Sequence, residues 1–456
     1  MSETATVAQL IAHRVFTPAG GGLADIDGAT AVRPLLLDAV RRAERLRRAG
    51  VRTGDRMAVT LAGRPWRSIA VDYLACAWIG AVAVLINDER LLRLVDGPVG
   101  RFDEHLTRSR PSRGATGRAR PAPDDPLDIV FSSGTTGVPK PAVFHHRDWP
   151  FRPSGTAGSA VVHCGIPFGT STGVHGILLR HLAVGALSAA AKDPAQVPDL
   201  VERFGCRELV VTPYALRKLL AAGLPPAASS RITTVKVVAG PLSEQLASAA
   251  MDAFPAARIF SIYGATELGA AIFTRLAKRG ESDVLGVPSP GTKARIVDDH
   301  GGVAPPGTVG EIQVSHHAGD PAPAGRSWIG TGDLGYLDER GRVHLVGRAK
   351  EIVFLPGGRA VLTEIEERLS GRPYIKDCAV AAIDGAGGWD GLGACVVLGD
   401  GGGEPEAFAA VAGIGPPISR VRVVSAIPRT PVGKPIRAEL WRLLTAPEAV
   451  EVPARG

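Results

Sequence analysis

The stretch FSSGTTGVPK, residues 131–140, gathers groups that bind phosphate. Gly134 and Gly137 let backbone N–H groups converge, Ser132, Ser133, Thr135 and Thr136 add hydroxyl donors, and Lys140 adds a charge. It is not a Walker loop: the glycine-to-lysine spacing differs, and Lys140 is followed by Pro141 rather than by a Ser or Thr that could hold Mg²⁺. Taken alone, the stretch also fits an ordinary strand–turn connection. Further along, YGATE at 263–267 offers the ring of Tyr263 for stacking a nucleobase and Glu267 as a hard oxygen ligand for Mg²⁺. Gly240 bares the backbone in VVAGPLS at 237–243. Asp333 has the chemistry to accept two ribose hydroxyls, Arg348 is a fixed-charge donor, and Lys434 lies on the Pro/Gly-rich stretch PRTPVGKPIR.

These residues need a scaffold that brings distant segments to one edge. Residues 28–86 alternate a helix near 33–49, the strand RMAVTLA, a helix at 67–80 and the strand AVAVLI. Residues 88–125 break the rhythm with Arg, Pro and Gly and lack sustained periodicity, as a loop or a shortened region would. From 127 the alternation resumes. LDIVF, AVVHCGI, ELVVTP, TTVKVVAG and ARIFSIYG read as strands, and VHGILLRHLAVGA, PDLVERFG, PYALRKLLAAG and SEQLASAAMDAFP, capped by Ser243, read as helices. Strands separated by helices of this length mean βαβ units on a mainly parallel sheet, whose strand ends are where ligands bind. After 284, Gly/Asp turns join short strands as in a small β-subdomain. The last 110 residues mix strands with one helix, TEIEERLSG, as a separate α+β domain.

At 456 residues the chain is too long for one core. The net charge of +7 raises nucleic acid as a partner, but the densest basic run, RRAERLRRAG at 41–50, has the spacing of a solvated helix face. The five cysteines form no C-x-x-C pair, which fits a reducing cytoplasm. MSETATVAQL has no signal-peptide pattern, and the 14-residue apolar run at 73–86 is too short to span a bilayer, so neither membrane nor nucleic acid is expected as a partner.

The order of the motifs carries more than any one of them. SSGTTGVPK, YGATE, TGDLGYLDERG, GRAKEIV and PRTPVGKPIR follow one another as in the adenylate-forming superfamily of acyl-CoA synthetases, peptide-synthetase adenylation domains and luciferases, which the chain resembles over about residues 30–440. The resemblance implies an N-terminal AMP-binding domain at 1–347 and a small mobile C-terminal domain at 348–456. It implies a two-step reaction, in which a carboxylate attacks the α-phosphorus of ATP and the acyl-AMP then meets a thiol or amine. Coenzyme A is the leading acceptor; carrier-protein phosphopantetheine and amines are alternatives, and a catalytically silent nucleotide-binding relative is a remote one. By the same resemblance, residues 132–137 with Lys140 cradle the β- and γ-phosphates. Tyr263 and Gly264 meet adenine beside Ala239, Gly240 and Pro241, while Asp333 and Arg348 hold the ribose. Glu267 with Thr266 organises Mg²⁺ and phosphate, Lys434 bridges the carboxylate and AMP, and Lys350 is the hinge.

Three departures stand out. Pro141 replaces the usual glycine after the loop lysine. Gly169, in GIPFGTSTGVHG, stands where amino-acid-activating relatives carry aspartate and many acyl-CoA synthetases histidine, which disfavours an α-amino acid. His175 is either a replacement for that histidine or a buried structural residue. The third departure is the short 88–125 region. Phe168, Gly169, His175, Ser261 and Gly269 are the candidate acid pocket, mostly small or apolar as an aryl or medium acyl group requires. The histidine pairs at 145–146 and 316–317 lack companion ligands for a metal.

Overall fold

The computed structural model describes residues 6–17, 20–102, 120–131, 139–148, 158–264, 271–288, 292–316, 328–355, 358–384 and 390–451. They fall into two compact units. The second comprises 294–315 and the described residues from 328 onward, and the first comprises the rest.

The first unit holds two sheets. One has the order Val99–Arg101, Arg56–Thr60, Val82–Ile86, Pro126–Phe131, Pro141–His145. Its first four strands run parallel, and the last turns back antiparallel with Phe131 opposite Pro141. Residues 132–140 therefore link a central strand to an edge strand. Proline is tolerated at Pro141 because it opens that edge strand, where a missing N–H removes little pairing. In the other sheet, Arg258–Gly264, Thr234–Val237, Glu208–Val211, Ala160–Cys164, Leu187–Ala191 and Gly22–Asp25 are neighbours in that order, and all run parallel. Helices Val197–Phe204, Pro213–Ala222 and Glu244–Ala253 connect parallel strands, as the alternation requires. The apolar run at 73–86 divides as its composition demands. Helix Trp66–Ile79 ends at Gly80, which is left-handed at φ +76°, and strand Val82–Ile86 follows, fully buried.

Two segments differ from the sequence reading in detail. VHGILLRHLAVGA is helical, but Thr172–Leu179 is a π-helix that passes into an α-helix at Arg180–Val184. Within 88–125 a 3₁₀ turn at Glu89–Leu94 and the edge strand Val99–Arg101 give local order.

The second unit contains the antiparallel strands Gly310–His316, Ile329–Leu337 and Val343–Arg348, and a hairpin of Ile352–Leu355 with Gly358–Val361. A four-stranded sheet follows, of Ile375–Asp384, Asp390–Leu398, Arg420–Val423 and Val450–Glu451. Strand Ile375–Asp384 buries both faces in alternation. Cys378 and Val380 pack with Ile365 and Leu369, while Ala379, Ala381 and Ile383 pack with Leu440 and Leu444. The expectation of one helix here is corrected: Leu362–Ser370 is joined by Glu404–Ala412 and Arg437–Thr445. Alanines dilute the apolar stripe of Glu404–Ala412, whose buried positions are Ala407 and Val411. The helix Arg437–Thr445 rests on the single pair Leu440 and Leu444.

Candidate active site

In the first unit the site begins where parallel strands end. Cys164 pairs with Val211, Val211 with Val237, and Val237 with Ser261, so segments 165–171 and 238–243 leave the sheet at the edge where residues 262–264 run on as the end of their strand. One apolar cluster ties them together. Ile166 and Ile177 from the expected acid side pack with Val238, Ala239 and Ile262 from the expected nucleotide side, and Trp66 joins them. Ala239 has φ +64°, a left-handed backbone that costs a residue with a Cβ about 1–3 kcal/mol. A Cβ at Gly240 would touch the Pro213 ring at 3.1 Å, so glycine lets the chain pass close to it. The half-buried ring of Tyr263 lies 5.9 Å from that of Phe273, tilted by 57°. The ladder with Ala271–Leu276 shifts register between Tyr263 and Gly264, a bulge that re-aims the side chains at the strand's end. Lys140 is exposed and directly precedes the edge strand. Ser132, Ser133, Gly134, Thr135, Thr136 and Gly137 lie outside the described residues, as do Thr266, Glu267 and Gly269.

The expected acid side carries an aromatic cluster. Phe168 is buried, edge-on to Trp66 at 4.9 Å and to Tyr73 at 6.1 Å. An ideal Cβ on Gly169 would fall 2.2 Å from Leu61 Cδ1, so Leu61 occupies the space a side chain at 169 would need. Thr170 accepts the Gly173 N–H at 3.0 Å and donates to the Pro167 carbonyl at 2.8 Å, fixing the turn into the π-helix. His175 on that helix is buried, with Nε2 2.8 Å from Asp128 Oδ2. The Tyr73 hydroxyl donates to the same oxygen at 2.7 Å. Burial, reinforced by Asp128, pushes the Tyr73 pKa well up and keeps it a donor. His175 thus stands in an interior polar cluster with Asp128 and Tyr73, the structural arm of the sequence reading. Ser261 shares its strand face with Ile259, which packs under helix Glu244–Ala253, whereas the neighbouring Ile262 faces Ile166 and Ile177. The sequence reading missed Trp66, Leu61, Ile262 and Asp128. Only Asp128 left a signal, as a lone charge within the apolar strand Pro126–Phe131.

His146 is buried beside this cluster, and its Nδ1 accepts the Val7 N–H of the N-terminal helix at 3.2 Å. Burial lowers its pKa to about 4. His163, against the Trp66 ring at 4.4 Å, is lowered by burial to about 3.

In the second unit Asp333 and Arg348 face each other directly across the antiparallel pair of Ile329–Leu337 and Val343–Arg348. Arg348 Nε donates to Asp333 Oδ1 at 2.9 Å, and Asp333 is 7% exposed. The guanidinium therefore fixes the orientation of a nearly buried carboxylate, as two adjacent hydroxyls would require of an acceptor. Lys350 is exposed in the 3₁₀ turn Ala349–Glu351 that follows. Lys434 is half-buried on a tight turn between Ile427 and helix Arg437–Thr445. Arg437, next to that turn, pairs with Glu366 and lies 3.8 Å from Glu351, the residue after Lys350.

Residues 88–318, just over half of the chain, match the sequence profile of the AMP-binding enzymes. The chain belongs to that family. It is 28% identical over 361 residues to 4-coumarate:CoA ligase 1 of Petunia hybrida, covering 71% of this chain and 66% of that protein. It is also 28% identical over 359 residues to the fatty acid–[acyl-carrier-protein] ligase ScoC of Streptomyces coeruleorubidus, covering 70% and 67%. The chain thus spans about two thirds of the length of these relatives. Among solved structures, the O-succinylbenzoate coenzyme A synthetase of Bacillus subtilis in complex with ATP and magnesium superposes with a TM-score of 0.75. Identity there is 22%, over 94% of this chain and 98% of that one, a likeness of fold.

Proposed function

We propose that this AMP-binding enzyme condenses a carboxylic acid with ATP to acyl-AMP and pyrophosphate, then passes the acyl group to the thiol of coenzyme A. The acid is an aryl or medium-chain acyl compound rather than an α-amino acid. The packing at Gly169 supports this substrate class. Leu61 and Leu85 are the side chains nearest a Cβ at this position, and neither they nor the adjacent Phe168 offers a carboxylate for an α-ammonium group.

In this reading the Asp333 carboxylate, oriented by Arg348, accepts the ribose hydroxyls, and the ring of Tyr263 stacks on adenine. The left-handed turn at Ala239 presents backbone groups to the base. The hydroxyls and N–H groups of 132–137 with Lys140 hold the terminal phosphates, which leave as pyrophosphate. Lys434 meets the incoming carboxylate and the charge growing on the α-phosphoryl oxygens. Magnesium, when bound, offsets the charge of the triphosphate, and Glu267 with Thr266 offers the hard oxygen donors this ion takes. Rotation about Lys350 then withdraws Lys434 so that a thiol can approach.

A carrier-protein phosphopantetheine is the second reading for the acceptor, favoured by the likeness to the Streptomyces acyl-carrier-protein ligase. ATP–pyrophosphate exchange over a panel of aryl, aliphatic and α-amino acids tests the proposal. Highest kcat/KM with an α-amino acid contradicts the substrate class, and no exchange with any acid contradicts adenylation. Coenzyme A and a holo carrier protein, offered separately to the acyl-AMP, distinguish the acceptors.

A further inference from the structure

Lys434 is held by a turn whose construction exceeds what a surface loop needs. Gly433 adopts φ +85°, which a residue with a Cβ rarely does. The Gly433 N–H donates to the Thr430 carbonyl at 2.8 Å, and the Thr430 N–H donates to the Lys434 carbonyl at 2.8 Å. The Lys434 N–H donates to Thr430 Oγ1 at 3.2 Å. Arg429 and Pro435 pair as an antiparallel bridge that closes the turn. Both backbone groups of Lys434 are therefore committed, and the side chain leaves from a fixed root.

The Arg429 guanidinium moors this turn to the sheet. Arg429 Nη1 donates to the Gly433 carbonyl at 2.9 Å, the peptide directly before Lys434. Its Nε and Nη2 donate to Asp377 Oδ2 and Oδ1 at 3.2 and 2.5 Å, and Nη2 also reaches the Cys378 carbonyl at 3.1 Å. The two side chains are 14% and 27% exposed, so water competes little for this fork. Asp377 itself sits at an irregularity of the strand Ile375–Asp384, where the register shifts between Ile375 and Asp377, and its Oδ1 accepts the Cys378 N–H at 2.9 Å. The irregularity thus falls at the residue whose carboxylate meets Arg429.

We infer that Asp377 and Arg429 are positioning residues for Lys434, setting where its ammonium stands during acyl-AMP formation. The inference rests on the adenylation reading above. Each residue acts through the 429–435 turn and touches no substrate. Because Lys434 serves only the first half-reaction, loosening its root slows adenylation and leaves thiol transfer alone. A general packing role would slow both.

Asp377→Asn keeps the shape but removes the charge and the two-oxygen acceptor. Arg429→Lys keeps the charge but cannot reach Asp377 and the Gly433 carbonyl together. Pyrophosphate release from ATP and acid is measured beside thioester formation from synthetic acyl-AMP, on one preparation of each variant, so that any unfolded fraction cancels in the ratio. The ratio of the first rate to the second is expected to fall about tenfold to a hundredfold, the scale of a reacting group displaced by about 1 Å. The loss should fall in kcat with the KM values for ATP and acid within about twofold. Where the wild-type chain makes acyl-AMP, an unchanged ratio in the variants overturns the inference alone. A wild-type chain that releases no pyrophosphate with any acid overturns the adenylation reading, and this inference with it.

Discussion

Adding one methyl group at Gly169 gives a sharp test of how the proposed acid side is built. An ideal Cβ there lies 2.2 Å from Leu61 Cδ1, whereas two carbons sit comfortably at about 3.5–4.0 Å. The leucine tip must therefore retreat by more than ~1 Å. Its backbone has little freedom, since the Leu61 N–H donates to the Ile86 carbonyl at 2.9 Å, so the side chain must leave its rotamer. Overpacking of this kind costs about 1–3 kcal/mol. Leu61→Ala opens the opposite defect; for a half-buried leucine the loss should fall below the roughly 2–5 kcal/mol of a fully buried one. In the double variant the new methyl enters the space the leucine left, so the two costs should offset each other by about 1 kcal/mol or more. Urea unfolding of wild type, both single variants and the double variant measures this coupling, and acid panels on the same proteins should show Leu61→Ala shifting preference toward larger acids. Additivity within about 0.3–0.5 kcal/mol, with no change in acid preference, would refute the packing argument.

Asp333→Ala should raise the KM for ATP by about tenfold to a hundredfold, because each charge-assisted hydrogen bond lost is worth about 1.5–3 kcal/mol; steady-state kinetics with ATP varied checks this, and unchanged kinetics would remove Asp333 from the nucleotide site. Lys434→Ala should slow acyl-AMP formation by about 10²–10³ while sparing thioester formation from supplied acyl-AMP, read by stopped-flow pyrophosphate release and thioester assay, and equal slowing of both would contradict the alternating role. The buried histidines His146 and His163 have folded pKa values lowered to about 4 and about 3 from 6.5, so they are neutral in the native state and charge on unfolding. Their contribution is fully present above pH 6.5 and is lost as pH falls toward those values, at up to about 1.4 kcal/mol per pH unit for each. Urea unfolding between pH 7 and 5 should show this slope, and His163→Phe should make it shallower while His146 and the buried His181, also lowered by desolvation, keep the rest.

The sequence revealed the parallel scaffold because its helices and strands carry clean, opposite periodicities. Ser243 was readable as a cap, and its side chain accepts the Leu246 N–H at 3.3 Å. Other contacts were hidden because they join residues far apart in the chain. Asp377 and Arg429 are separated by 52 positions, and Asp128 and His175 by 47, and no local pattern announces either pair. Asp333 and Arg348, only 15 apart, meet because two strands of one hairpin place them directly opposite each other, a register that motif spacing alone does not state. Gly169 is visible in the sequence as a position without a side chain, but that Leu61, more than a hundred residues earlier, fills the gap is not. The π-helix at Thr172–Leu179 has the same apolar composition as an α-helix, so only coordinates distinguish them.

The central claim is that the acid attacks the α-phosphorus of ATP and that the thiol then displaces AMP. A substrate acid labelled with ¹⁸O in both carboxylate oxygens tests it in one experiment. When the carboxylate attacks, one labelled oxygen becomes the bridge between acyl carbon and phosphorus, and thiol attack at that carbon breaks the carbon–oxygen bond. Mass spectrometry of the nucleotide product should find AMP carrying one ¹⁸O, with unlabelled pyrophosphate beside it. Label in inorganic phosphate together with ADP, or AMP without label, would contradict the account.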